Sequence, residues 1–298
     1  MPDCVDKICL GTVKLGVPEY GFSSRGPDRN CDPLRFLQQV ETVGISRFDT
    51  SPRYGQSEEV LGEYLAQTAI QPLVSSKIDE LKTNDPGSPE KMVLSVRSSL
   101  QRLNIQQLDI CYLHQNELEI ISDPYIHEGL QQLKELKLIV AAGASLYSHA
   151  ECDYALSSGL FDVIQVPVSV FDLSFYQQFI KNNSSDVRFS ARSLLLQGVL
   201  ADRHSIAGQI KQADSIQSYL QQLDGIAGEY SLPVISMALR FVGSLAGLDH
   251  CLVGTTSVGN LLQTIQCMSS PLPEALFSQL VSLAEKPKIW TNPRNWSG

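Results

Sequence analysis

The sequence has no run of about 18 apolar residues, no excess of positive charge and no C-x-x-C pair. Each absence removes a class of function. Without a long apolar run, no helix is expected to cross a membrane. With 23 Lys+Arg against 32 Asp+Glu, the formal net charge is −9. The chain therefore lacks the basic stripe that a phosphate backbone requires, and nucleic acid is not expected as its main partner, although a local cationic pocket stays open. The seven cysteines, at positions 4, 9, 31, 111, 152, 251 and 267, are odd in number. Several lie in apolar runs, so they read as reduced, mostly structural thiols in a cytoplasmic protein. The opening "MPDCVDKICLG" is acidic and has no apolar core, so it is not expected to be a secretory leader. There is no G-x-G-x-x-G, no G-x-x-x-x-G-K-[ST], no H-E-x-x-H and no G-x-S-x-G. That argues against a doubly wound nucleotide-binding sheet and against zinc or serine hydrolase chemistry, and no metal is expected.

What is present is alternation. Short apolar runs are each followed by an amphipathic stretch, with a spacing near thirty residues. "KICLGTV" (7–13), "ISRFDT", "PLVSSK", "LDICYLH", "LIVAAGAS", "FDVIQVPVS", "DVRFSAR" and "HCLVG" read as eight strands. Between them, "DPLRFLQQVETVG" has Asp32 as N-cap, Pro33 at the first helical position and Gly44 as a stop. "SPEKMVLSVRSSLQRL" (88–103), "DPYIHEGLQQLKELK" and "SVGNLLQTIQCM" carry similar signals, and Ser57 is expected to cap a helix running to Leu65. Eight strand–helix units with no linker-like break predict a single α/β domain over 1–298, a (β/α)8 TIM barrel.

In such a barrel, residues just past the C-terminal ends of strands face the mouth. The second strand ends at Asp49, the third at Lys77 and the fourth at His114, while the sixth leaves near Gln165. Tyr54 lies on the loop after the second. This set has a chemical use. A phenol is a poor acid at neutral pH, a nearby ammonium lowers its pKa, and a carboxylate keeps that ammonium charged and placed. A histidine orients a carbonyl oxygen, and the tyrosine then serves as general acid toward a developing alkoxide. Singly, each residue has an ordinary explanation: a turn cap, packing, a solvated lysine, a core histidine. Four of them on successive strand ends are harder to explain that way.

The stretch "FDTSPRYGQSEEVLG" resembles the aldo-keto reductase signature D-x-x-x-x-Y-G-x-S-E-x-x-L-G, matching at Asp49, Tyr54, Gly55, Ser57, Glu58, Leu61 and Gly62. The resemblance continues through "LGTVKLG", "VSSKI", "LDICYLHQ", "AGAS", "IQVPVSVFD", "SARSLLLQGVL" and "MALRFVGS…VGTTSVGNLLQTI". It implies a (β/α)8 barrel that takes a nicotinamide cofactor and a small-molecule carbonyl substrate. Asp49, Tyr54, Lys77 and His114 then form the catalytic set, with Tyr54 as acid. Ser145 and Gln165 would hold the nicotinamide carboxamide, and Gly11 and Thr12 would line the floor near it.

Three departures from the family pattern matter. Leu146 stands where the family usually has an asparagine beside the carboxamide. Arg192 stands where many members stack a tyrosine on the nicotinamide, leaving ring stacking, a pyrophosphate contact or an anionic substrate as its use. The stretch 253–266, which would meet the 2′-phosphate, has no cation. Gly254, Thr255, Thr256, Ser257 and Asn260 supply hydrogen-bonding groups there, and a helix N-terminus follows. NADP(H) is the cofactor the family implies, with NAD(H) expected to compete. Tyr20, Phe22, Tyr147, Trp290 and Trp296 are candidate lining residues. A sugar or small hydroxy-aldehyde is the expected substrate, and a monomer or small homo-oligomer the expected state. Two other readings stand beside reduction: a cofactor-binding regulatory or redox-sensing barrel with little turnover, and a barrel using Lys77 as a Schiff base.

Overall fold

Eight parallel strands close on themselves in sequence order, with β8 pairing back onto β1. They are β1 (Ile8–Gly11), β2 (Arg47–Asp49), β3 (Leu73–Ile78), β4 (Leu108–Leu113), β5 (Ile139–Ser145), β6 (Val163–Pro167), β7 (Arg188–Arg192) and β8 (His250–Gly254). The computed structural model describes residues 4–21, 32–202, 210–285 and 288–296. Around the strands run α1 (Val13–Gly16), α2 (Pro33–Thr42), α3 (Ser57–Leu65), α4 (Ser88–Leu103), α5 (Leu118–Ile121), α6 (Pro124–Glu135), α7 (His149–Ser158), α8 (Ala213–Glu229), α9 (Val234–Gly243), α10 (Val258–Met268) and α11 (Glu274–Ala284). The expected (β/α)8 TIM barrel is the fold. Among the described residues no helix is long and apolar enough to cross a membrane.

The helix ends follow the sequence signals. Asp32 accepts from the Arg35 N–H at 3.1 Å at the start of α2, and Asp123 caps α6 in the same way. Ser148 and Glu151 make a reciprocal capping box on α7. The apolar stripes Phe36, Leu37 and Val40 on α2, and Met92, Val96, Leu100 and Leu103 on α4, are buried against the strands. The sequence reading differs from the structure in four places. β1 stops at Gly11, and after Thr12 the chain turns into α1 at Val13. "SFYQQFIKN" forms a single π-helical turn, Tyr176–Ile180. α5 and α11 add helices that the strand–helix alternation did not require. Ser57 does not cap α3: Gln56 holds the N-cap position without a side-chain bond, and Ser57 is fully buried inside the first turn.

Side chains alternate in and out along each strand. One consequence is a small cluster of Ile110, Tyr112, Ala141 and Val163, separate from the main core between strands and helices. Gly143 is needed there, since a Cβ on it would lie 2.4 Å from the Tyr112 ring. Six of the cysteines lie in the described residues. All are free thiols, and five of them, Cys9, Cys111, Cys152, Cys251 and Cys267, are buried; Cys31 lies outside those residues.

The glutamate of the opening motif is structural. Glu58 is 1% exposed, accepts from Ser76 Oγ on β3 at 2.5 Å, and pairs with Arg102 of α4 at 2.6 Å. It ties α3 to a strand and to the neighbouring helix. Arg102 keeps 31% of its side chain in solvent, so losing the pair costs less than the 3–5 kcal/mol of a fully buried one. Glu58→Ala is expected to lower stability by about 2 kcal/mol. In a urea titration this appears as a lower midpoint with an unchanged slope; an unchanged midpoint removes the role.

Candidate active site at the barrel mouth

Asp49 and Lys77 point inward from the ends of adjacent strands and meet in a buried ion pair, with side chains 3% and 2% exposed. Lys77 Nζ also donates to the Thr50 carbonyl at 2.8 Å. The other Asp49 oxygen accepts from Ser75 Oγ at 3.3 Å and from Gln165 Nε2 at 3.2 Å. Above the pair, Lys77 Nζ lies 5.0 Å from the centroid of the Tyr54 ring. The His114 ring meets Tyr54 edge-on, 6.1 Å between centroids at 89°. All four expected residues are therefore in one place.

Their electrostatics differ from the sequence expectation in one respect. Burial works against the Lys77 charge, but Asp49 and Tyr54 outweigh it, and the ammonium pKa is raised. For Tyr54, burial pushes the phenol up, Lys77 pulls it down and Asp49 pushes it up again. The net shift is upward, whereas the ammonium alone would lower it. Burial is the largest contribution, because it takes the phenolate charge out of water, and repulsion by Asp49 adds to it. Tyr54 thus holds its proton at neutral pH.

The residues after Tyr54 fix its loop. Gly16, at the end of α1, lies so close that a Cβ on it would fall 1.8 Å from the Tyr54 carbonyl. Gly55 has φ +55° and faces the Gly16 carbonyl in turn. Ser57 Oγ donates to Thr12 at 2.7–2.8 Å, and Thr12 Oγ1 donates to the Asp49 carbonyl at 3.1 Å. Thr12 is fully buried. Its side chain ties the β1, β2 and α3 ends together, so it supports the floor from beneath. Gly11 sits in the ladder between Asp49 and Gly254.

A second row of polar groups runs along β5, β6 and β7. Arg192 Nε donates to Ser145 Oγ at 3.3 Å, Ser145 Oγ donates to Gln165 Oε1 at 3.2 Å, and Gln165 Nε2 donates to Asp49. Arg192 is 8% exposed, so it is not a solvated surface residue. Its Nη2 donates to the Leu146 carbonyl at 2.7 Å, and its guanidinium carbon lies 3.8 Å from the Tyr147 ring centroid. Among the described residues Nη1 is buried without a partner. Arg294 stacks on the same tyrosine at 4.5 Å and donates to Asn116 Oδ1 at 2.6 Å.

Two residues escaped the sequence reading. Asp79 accepts from or shares the His114 Nδ1 proton at 2.7 Å and pairs with Arg53 at 3.4 Å. Asn116 is fully buried and donates to the Ser145 carbonyl. Each lies two residues beyond Lys77 or His114, so the strand-end rule that found the lysine and the histidine would have found both if extended one step. Among the lining candidates, Tyr147 is at the mouth. Tyr20, 39% exposed, is near Tyr54, Tyr147 and Arg192. Trp290 is 3% exposed and packs on Phe171 and Tyr219 at 5.6 and 5.4 Å, so it is core. Trp296 Nε1 donates to the Trp290 carbonyl, and Phe22 lies outside the described residues. At β8, Ser257 caps α10 by accepting from the Asn260 N–H, and Thr255 Oγ1 accepts from the Ser257 N–H at 3.1 Å. Gly254 and Asn260 are exposed and Thr256 is partly so.

A profile of the Aldo/keto reductase family matches residues 7–285. The chain belongs to the aldo/keto reductase family. Among curated members, this aldo/keto reductase is similar to an uncharacterized oxidoreductase of Mycobacterium tuberculosis, 26% identical over 277 residues, covering 86% of this chain and 82% of that one. It is also similar to the NADH-specific methylglyoxal reductase of Escherichia coli, 23% identical, covering 94% and 98%. Among solved structures, the holo form of an aldo-keto reductase from Bacillus halodurans aligns with a TM-score of 0.72 at 20% identity, over 94% of this chain and 92% of that one. At that identity the likeness speaks to the fold.

The balance on Tyr54 is open to measurement. The phenolate absorbance of the chain minus that of Tyr54→Phe is expected to titrate above the usual tyrosine value near 10. Lys77→Met is expected to move it higher, since the charge and hydrogen bond of Lys77, which pull the phenol down, are removed with that side chain. A Tyr54 that ionises below the usual value contradicts the balance.

Proposed function

We propose that this aldo/keto reductase reduces an aldehyde or ketone to an alcohol with a nicotinamide cofactor, with Tyr54 as general acid. The observation that carries the reading is the buried Asp49–Lys77 pair set beneath a protonated phenol, with His114 across from it. A bound nicotinamide supplies the hydride that reaches the carbonyl carbon. Tyr54 then gives its proton to the carbonyl oxygen as negative charge develops there. Lys77 stabilises the phenolate left behind, which burial would otherwise make costly, and Asp49 keeps Lys77 charged and in position. His114 orients the carbonyl oxygen, and Asp79 holds its ring through Nδ1, leaving Nε2 for the substrate side. We take the whole of 1–298 as one domain serving this activity, in a cytoplasmic monomer or small homo-oligomer.

The residues fit such a cofactor. Ser145 Oγ and Gln165 Nε2 have hydrogen-bonding capacity left for a carboxamide, and Gly11 leaves room on the floor. Arg192 Nη1 is a buried donor with no partner among the described residues. Gly254, Thr255, Thr256 and Asn260, with the first turn of α10, suit the phosphate and ribose end. No lysine or arginine occurs from Phe241 to Glu285. A 2′-phosphate therefore gains little over a hydroxyl there, and the NADH-specific relative is consistent with NADH serving as well as NADPH. The methylglyoxal-reducing relative and the polar mouth support a small polar carbonyl as substrate.

Tyr54→Phe is expected to cut kcat by at least about 100-fold, the scale of lost general acid catalysis, with cofactor affinity retained. Near-wild-type turnover removes Tyr54 from the role. Wild-type chain that binds cofactor tightly yet turns over no member of an aldehyde and sugar panel favours the regulatory or redox-sensing reading instead. In the same assay, KM for NADH is expected to be competitive with that for NADPH. A preference for NADPH above about 100-fold in kcat/KM, roughly 2.7 kcal/mol, contradicts the cation-free loop argument.

A further inference from the structure

The least satisfied group at the mouth is Arg192. Its guanidinium is always charged, it is 8% exposed, and among the described residues no carboxylate pairs with it. A buried cation in that state is costly unless something completes it. Its orientation is fixed by the bonds from Nε to Ser145 Oγ and from Nη2 to the Leu146 carbonyl, and by the Tyr147 ring against its face. The two N–H donors of Nη1 are left, buried without an acceptor among the described residues, besides the second N–H of Nη2. An oxygen brought by a ligand would complete Nη1.

Its place in the network narrows which oxygen. Arg192 is bonded directly to Ser145, and Ser145 to Gln165, the two side chains assigned above to the nicotinamide carboxamide. Leu146, next to them, offers no side-chain donor. We propose that Arg192 Nη1 donates to the carboxamide oxygen of the nicotinamide in place of the side chain at 146, and that its charge makes this site hold the reduced cofactor in preference to the oxidised one. The second part follows from charge alone. The oxidised nicotinamide ring carries a positive charge and the reduced ring is neutral, so a fixed guanidinium beside the ring repels only the oxidised form. Weaker binding of the oxidised product favours its release after each reduction. The inference rests on the reading given under Proposed function.

The test is direct titration of NADH and NAD⁺, with NADPH and NADP⁺ in parallel, on the wild-type chain and on Arg192→Met, followed by cofactor fluorescence and calorimetry without substrate. The wild type is expected to bind the reduced form more tightly. In Arg192→Met, affinity for the reduced form falls, and the ratio of Kd for the oxidised form to Kd for the reduced form narrows by about tenfold, the scale of one removed like-charge contact in a partly screened site. Arg192→Lys is expected to keep most of the ratio while weakening the reduced form, because the charge stays and the fork is lost. Arg192→Gln removes the charge but keeps polar reach to Ser145 and Leu146, and it carries the comparison in the event that the methionine variant does not fold. Equal weakening of both forms with the ratio unchanged overturns the proposal and moves Arg192 to the pyrophosphate. Unchanged affinities for both forms overturn it and leave Arg192 to an anionic substrate. A wild type that binds neither form overturns the proposal together with the reading it rests on, whereas a wild type that binds both while Arg192→Met and Arg192→Gln keep its ratio overturns the proposal alone.

Discussion

The ion pair between Asp49 and Lys77 is the constraint around which the mouth is organised. Two charges taken out of water this completely are stable only if their remaining hydrogen-bonding capacity is met. The carboxylate takes Ser75 and Gln165 besides the lysine, and the ammonium takes the Thr50 carbonyl. Ser75 shares β3 with Lys77 and Thr50 follows Asp49 at the end of β2, while Gln165 reaches the carboxylate from β6. The full set of bonds therefore needs the closed barrel, and the pair places a positive charge under one specific loop residue. Tyr54 is held there by backbone contact, through Gly16 and Gly55, so its position does not depend on the flexibility of its own side chain.

The motif after Tyr54 has a divided physical role. Tyr54 faces the site, Gly55 and Gly16 let two backbones approach, Ser57 ties the start of α3 to Thr12, and Glu58 reaches outward to Ser76 and Arg102. One short stretch thus anchors Tyr54 to β1, β2, β3 and α4. A family signature of this kind is as much a record of assembly as of chemistry.

The barrel was legible in the sequence because its evidence is periodic: apolar strand runs recur eight times with amphipathic stretches between them, and the helix ends at Asp32 and Asp123 fall where local capping rules put them. The four residues Asp49, Tyr54, Lys77 and His114 were legible because topology alone places strand ends on one rim. What was not legible depends on competition between long-range terms. Ser57 looks like a cap locally, yet a buried hydroxyl on Thr12 is a better partner. The Tyr54 shift changes sign because burial, which no spacing reveals, exceeds the pull of the lysine. Trp290 looks like a lining residue until Phe171 and Tyr219 are seen to enclose it. Arg192 was visible as an oddity, but its fixed orientation came only from the Ser145, Leu146 and Tyr147 contacts.

The row from Arg192 through Ser145 and Gln165 to Asp49 has a direction: each member donates to the next, and the carboxylate receives last. Dipoles aligned in this way reinforce one another, so the cation at one end and the anion at the other feel each other across two neutral side chains. The same row is closed to proton traffic, because neither a guanidinium nor an amide gives up and regains a proton at neutral pH. It transmits field and blocks hopping.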